Sequence, residues 1–376
     1  MALENQDITK ADAKHLHRLQ RRVDDDPRDV MVVYELAQLL WRSGRGDEAR
    51  GHCRRLVESP EVSATLLEAV GKTLIERGSL KDALTCYERL AAMQTDRALP
   101  HYFIGRLCEQ LGQIDRAIGE HEKAVDLEPN NAECHYRFGV TLACRERYDE
   151  AEKYYRRAIE LDGAHGKAYT NLGYLLDLKG EGETAIQLFR KAVQFNPDSA
   201  AARFNLGALY GERGMHERAV QQFSLALELD PKSIEAHFNL GVAYIEQGKV
   251  NEAIEEFRRV LKLDSSHKNA HLYIGVAYEK YGLYRKALKN LQSALQLDSD
   301  NPTILYRIGV CYNRLDEPDK AIAPLKRVTE ISPEDGKAYY YLGVVYDKAG
   351  QLDKAKENYR AADRRFQKSE AHTGVR

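Results

Sequence analysis

The sequence predicts an all-α chain of stacked helical hairpins, an α-solenoid, and three observations predict it. One 34-residue register runs from Val30 to Ser369 without insertion or deletion, giving ten copies that open at residues 30, 64, 98, 132, 166, 200, 234, 268, 302 and 336. The eighth position is glycine from Gly71 through Gly343, with Ala37 in the first copy, and the twentieth is alanine throughout, from Ala49 to Ala355. Turn and stop residues recur at fixed places: Gly78, Gly112, Gly180, Gly214, Gly248, Gly282 and Gly350 within the copies, and Pro129, Pro197, Pro231 and Pro333 at their ends. Self-similarity at a period of a few tens of residues is the signature of repeat architectures.

Each element of a copy has a physical reason. In the sixth copy, Leu206, Gly207 and Tyr210 share one face at helical spacing. After the break at Gly214, Ala219, Phe223 and Ala226 form a second helical face. The twenty-fourth position is aromatic at Tyr87, Tyr155, Phe189, Phe223, Phe257 and Tyr359. Small residues at fixed places let two helices approach closely, and a large residue fills the space beside them. The mid-copy glycine suits the turn between the helices. Asp230–Pro231 stops the second helix, because proline cannot continue it. Such a hairpin carries apolar surface on both sides and buries it only by stacking on its neighbours.

The ends read as caps. Residues 8–25 predict one helix with Leu16, Leu19 and Val23 on a face, within an N-terminal cap of residues 1–29 that shields the first copy. The helix around Lys354 to Gln367 is strongly charged and suits a solvated end, and 370–376 read as a disordered tail. In the ninth copy Pro318 falls near the first turn of the second helix, where it is tolerated, and Pro324 predicts a local bend.

This spacing resembles the tetratricopeptide repeat, over about nine-tenths of the chain. The resemblance implies a right-handed superhelix whose first helices line a concave face, with positions two, five, six, nine, twelve and thirteen of each copy pointing inward.

Composition bounds the function. The chain is 43% hydrophobic and 30% charged with a formal net charge of -2, which excludes a disordered chain and announces no nucleic-acid surface. No apolar run is long enough to span a membrane, and the N-terminus lacks the pattern of a signal peptide, so a cytoplasmic location is expected. Cys53, Cys86, Cys108, Cys134, Cys144 and Cys311 form no C-x-x-C pair and read as reduced, mostly buried thiols.

No catalytic motif is found. Gly71-Lys72-Thr73 copies the end of a phosphate loop but lies in a repeat helix, without the strand–loop–helix context that frees backbone N–H groups. Arg45-Gly46-Asp47 occupies the turn of the first copy. His101, His135, His237 and His271 all stand at position four, and equivalent atoms of adjacent copies lie roughly 10 Å apart, too far to share a metal ion. They read as packing residues, and neither a metal nor a cofactor is expected.

The functional signal lies at position six. From the fourth copy onward it reads Arg137, Asn171, Asn205, Asn239, Tyr273, Arg307 and Tyr341. An asparagine amide offers a donor and an acceptor, so it can pair with a peptide's N–H and C=O whatever the side chain. The row resembles the asparagine ladder in the repeat superhelix of O-GlcNAc transferase, which implies a polypeptide-binding role for Asn171, Asn205 and Asn239. The residues after them continue the repeat, so only the binding role is expected to carry over. Position five adds aromatic residues, Phe204 and Phe238 among them. Inward charges are acidic at Asp177, Glu212, Glu235, Glu246 and Glu279, then basic at Lys280, Arg307, Arg314, Lys337 and Lys348. A ligand is expected to match them, basic near copies five to seven and acidic near eight to ten. The carboxylate clamp of the family's chaperone cofactors is not matched: Lys167 precedes Asn171, but no three consecutive copies supply the rest.

The sequence therefore reads as a non-enzymatic scaffold that binds an extended peptide or partner helix. Two other readings stand beside it: a self-assembling scaffold of a larger complex, and a targeting module for a separate enzyme such as a glycosyltransferase. Nucleic-acid binding and membrane insertion are not expected, and self-association remains open.

Overall fold

The computed structural model describes residues 10–373, and every regular element in them is an α-helix. The chain forms two compact units that divide between Asn196 and Pro197. Unit 1 holds α1 (Lys10–Asp25), α2 (Val30–Arg42), α3 (Gly46–Glu58), α4 (Ala64–Glu76), α5 (Leu80–Met93), α6 (Ala98–Gln110), α7 (Ile114–Leu127), α8 (Ala132–Ala143), α9 (Tyr148–Leu161), α10 (Gly166–Leu178) and α11 (Gly182–Phe195). Unit 2 holds α12 (Ala200–Glu212), α13 (His216–Leu229), α14 (Ile234–Glu246), α15 (Val250–Leu263), α16 (Lys268–Lys280), α17 (Tyr284–Leu297), α18 (Pro302–Arg314), α19 (Pro318–Ile331), α20 (Gly336–Lys348) and α21 (Leu352–Thr373). Each unit is a stack of helix–turn–helix hairpins, and the first helix of every repeat begins on the first residue of its copy.

Local chemistry fixes those starts. The last residue of the preceding copy caps the first helix, its side chain accepting a backbone N–H: Asp29, Ser63, Asn131, His165, Ser199, Ser233, His267, Asn301 and Asp335. Arg97 stands there before α6 and makes no such bond. The turn inside each hairpin needs a left-handed residue. Gly44 and the seven glycines named above have φ between 71° and 82°. Glu146 and Asp316 take the same turn at φ 59° without being glycine.

The core of each hairpin is a size match between positions eight and twenty-four. A Cβ added at Gly241 would lie 2.7 Å from Phe257 Cε1, and one at Gly139 would lie 2.8 Å from Tyr155. In the first copy Ala37 replaces the glycine, and the partner position carries the smaller Cys53, both fully buried. The alanines at position twenty are at most 2% exposed from Ala49 to Ala355, so the helices meet there at close range. One slot is polar. His121, fully buried beside Gly105, donates from Nε2 to Glu109 Oε1 at 3.2 Å, and Thr141 donates to the same oxygen.

The ends differ in detail from expectation. α1 buries Leu19 and Val23 in the cluster that contains the first hairpin, while residues 8 and 9 lie outside the described residues. α21 runs on to Thr373, into the stretch expected as a tail, and 374–376 lie outside the described residues. α19 starts on Pro318 and continues through Pro324 as one helix. Of the cysteines only Cys144 is exposed; burial pushes the thiols of Cys53, Cys86, Cys134 and Cys311 up to about 12. No described helix is long and apolar enough to cross a membrane.

Candidate functional site

The position-six side chains sit in the middle of the first helices, each one residue before a buried apolar residue, and those at Arg137, Asn205, Asn239 and Arg307 also follow a position-five ring. This places them half-buried at Arg137, Asn171, Asn205, Asn239, Tyr273 and Arg307. Their use inside the protein differs from copy to copy.

In unit 1 the row is largely engaged. Asn171 on α10 donates from Nδ2 to Tyr155 Oη on α9 at 3.4 Å. Arg137 on α8 donates from Nε to Glu133 Oε1 at 2.9 Å and lies over the Tyr136 ring, 5.4 Å from its centroid. Glu133 also accepts from Tyr102 Oη at 3.0 Å and faces His165 Nε2 at 3.4 Å. Burial alone would raise its carboxyl, but hydrogen bonds from His165, Arg137 and Tyr102 outweigh that and hold it down at about 2.

In unit 2 the two asparagines are unspent. No side-chain hydrogen bond reaches Asn205 or Asn239 among the described residues. Asn239 follows a copy whose position twenty-four is Phe223, which has no hydroxyl to offer. Tyr273 is packed by rings, edge-on to Phe238 with centroids 5.2 Å apart. Arg307 is tied to Glu279, Nη1 to Oε2 at 2.8 Å. Phe204 and Phe238 each lean on the second helix of their own hairpin, 5.8 Å from Phe223 and 5.6 Å from Phe257, and keep part of each ring open to solvent. Beside Phe204 and Asn205 lies a recess of about 380 Å³ between α12 and α14, with Ala226 and Ala236 in its lining and Asp230 and Glu235 at its polar side.

The sequence reading named residues that this geometry separates. Glu279 and Arg307, read as groove charges, neutralise each other. Lys348 is occupied by the Asn313 carbonyl at 3.1 Å and by Asp316 at 3.4 Å. The position-four histidines are structural. His237, buried, sits between the Glu256 carboxylate at 2.6 Å and the Pro231 carbonyl at 3.2 Å, and His101 meets Glu120 at 2.7 Å. His135 meets the Pro129 carbonyl at 2.8 Å and His271 that of Ser265 at 3.3 Å. Among the described residues no group of three or more His, Cys, Asp or Glu is arranged to hold a metal ion. The tripeptide Gly71-Lys72-Thr73 lies inside α4, with Gly71 against the Tyr87 ring.

Family models agree with the repeat. Models described as "TPR repeat" match residues 210–248 and 243–282. Models described as "Tetratricopeptide repeat" match 2–63 and 136–200, 278–330, and 188–221 and 325–357. One described as "Anaphase-promoting complex, cyclosome, subunit 3" matches 76–158. No curated protein matches the sequence. Among solved structures, the C-terminal part of a TPR repeat-containing protein from Cytophaga hutchinsonii is 18% identical with a TM-score of 0.52, covering 64% of this chain and 99% of that one. MamA is 26% identical with a TM-score of 0.43, covering 44% of this chain and 97% of that one. YrrB, described as a TPR protein with an unusual peptide-binding site, is 25% identical with a TM-score of 0.42, covering 49% of this chain and 95% of that one. With repeat models matched over 2–63 and continuously from 136 to 357, on helices that start where the copies start, the chain belongs to the tetratricopeptide-repeat family.

Proposed function

We propose that this repeat scaffold binds an extended polypeptide on the first helices of unit 2. The observation that carries the reading is the pair Asn205 and Asn239. They occupy the same position in consecutive repeats, half-buried, with both amides unspent. An amide held at that depth has already lost part of its hydration, so pairing with a peptide N–H and C=O costs little further desolvation. Phe204 and Phe238 flank the amides and offer ring edges to the peptide's side chains. Tyr273 and Arg307 continue the row, with their shape set by Phe238 and Glu279. In unit 1, Arg137 and Asn171 present the same face with part of their hydrogen-bonding capacity used internally. Backbone pairing makes the site tolerant of sequence and suits it to a chain-like ligand.

The test is affinity. Twelve-residue peptides selected on the full chain from a random library are measured by fluorescence anisotropy against the wild type and Asn205→Ala/Asn239→Ala. The reading requires a loss of about tenfold or more, since each lost amide pair is worth about 1 kcal/mol. Equal affinity in a variant of unchanged thermal stability would refute it.

A further inference from the structure

The recess beside Phe204 has a counterpart in unit 1, and the two differ in what meets their acid. The unit 1 recess, about 290 Å³, lies between α6 and α8 at the same repeat positions, with Tyr102 and Glu133 in its lining. Glu133 is the second residue of the fourth copy, and Glu235 is the second residue of the seventh. Around Glu133 the chain supplies its own donors: the Tyr102 hydroxyl, the Arg137 guanidinium and the His165 ring.

Around Glu235 the matching residues are Phe204 of the sixth copy and Asn239 and His267 of the seventh. Phe204 has no hydroxyl, and Asn239 carries no charge. His267, like His165, accepts the N–H three residues on through Nδ1 (Ala270, 3.1 Å) and packs on the position-five ring of its copy (Phe238, centroids 5.3 Å apart), but unlike His165 it makes no ion pair with the acid. No hydrogen bond or ion pair reaches the exposed Glu235 carboxylate among the described residues. The same acid in the same recess therefore has a cation in one unit and none in the other. The recess around Glu235 keeps an apolar lining of Phe204, Ala226 and Ala236, which suits the methylene stem of a long basic side chain.

We infer that the recess between α12 and α14 takes the arginine or lysine side chain of a bound peptide, with its charged end on Glu235. The ligand supplies what Arg137 supplies within unit 1. Arginine is favoured over lysine, because a planar guanidinium meets a carboxylate through two parallel hydrogen bonds. The inference rests on the reading of unit 2 as a peptide site and adds the chemical class of residue that the site selects.

The experiment uses the same random twelve-residue library on the full chain, with Glu235→Gln and Phe204→Tyr/Asn239→Arg as variants. The second variant rebuilds around Glu235 the Tyr102 and Arg137 donors that surround Glu133. Peptides selected on the wild type should share a basic residue at one aligned position and bind Glu235→Gln about tenfold more weakly, the size of one charge-assisted hydrogen bond. Phe204→Tyr/Asn239→Arg should weaken them to a similar degree. Selected peptides with no common basic residue, or with undiminished affinity for Glu235→Gln, overturn the inference. If those peptides still lose affinity on Asn205→Ala/Asn239→Ala, the groove reading survives without it. A selection that yields no binding peptide overturns both. L-argininamide binding as tightly as the peptides would overturn the assignment to a peptide side chain.

Discussion

Asn171 donates its amide to the Tyr155 hydroxyl at 3.4 Å, and this contact separates it from the asparagine at the same position in the seventh copy. Tyr155 fills the slot beside Gly139, and its hydroxyl ends where the next repeat presents position six. Phe223 fills the same slot beside Gly207 and leaves Asn239 with nothing to bond. Asn171→Ala is expected to lower folding stability by about 1 kcal/mol, because a buried hydroxyl loses its partner. Asn239→Ala should stay within about 0.5 kcal/mol of the wild type, as surface changes away from such features do. Urea unfolding followed by circular dichroism checks both.

Tyr87 shows the reverse case. It is fully buried, its ring stacks on Phe103 at 4.6 Å, and its hydroxyl has no hydrogen-bond partner. Phe103 stands where an asparagine would have met that hydroxyl. Tyr87→Phe removes the orphaned group at constant shape and is expected to raise stability by about 1 kcal/mol. A higher urea midpoint in the variant supports this, and a lower one counts against it.

The glycine–aromatic match tolerates no added carbon. A Cβ at Gly241 would approach Phe257 to 2.7 Å, and the Phe257 ring is fully buried. Gly241→Ala is therefore expected to cost about 1–3 kcal/mol despite alanine's better helix propensity. Gly241→Ala should cost less in a Phe257→Cys background, which copies the Ala37–Cys53 pair of the first copy, than in the wild type, as measured by the same unfolding experiment.

Acid should loosen unit 1 through Glu133. Its carboxyl titrates at about 2 in the folded chain against an ordinary 4.5. The unfolded chain therefore takes up this proton first as pH falls. Stabilisation by the Tyr102–Arg137–His165 network is complete above about 4.5 and is lost between there and about 2. The stability difference between wild type and Glu133→Gln should shrink across that window, and a constant difference would show that the network does not titrate there.

The helices were legible because one register repeats ten times, so size rules at Gly207, Ala219 and Phe223 recur in every copy and fix their starts and turns. Glu146 and Asp316 escaped that logic, since they take the left-handed turn without the glycine that marks it in the other copies. The asparagine row was visible as a pattern, but its division was not. Whether an amide is spent depends on a residue sixteen positions earlier, phenol at Tyr155 and phenyl at Phe223. Glu235 read as one of several inward acids that a basic ligand would match, and the filled counterpart at Glu133 is what singles it out. Arg307 read as a free groove charge, and its partner Glu279 lies 28 residues away on the preceding repeat, beyond what local spacing shows.

The central claim is that Asn205 and Asn239 are open to a ligand while Asn171 serves the fold. Side-chain amide resonances of the full chain, recorded by ¹H–¹⁵N NMR during titration with a selected twelve-residue peptide, test it most directly. The account predicts saturating shifts at the Asn205 and Asn239 amides with the Asn171 amide unmoved; peptide binding that leaves Asn205 and Asn239 in place would contradict it.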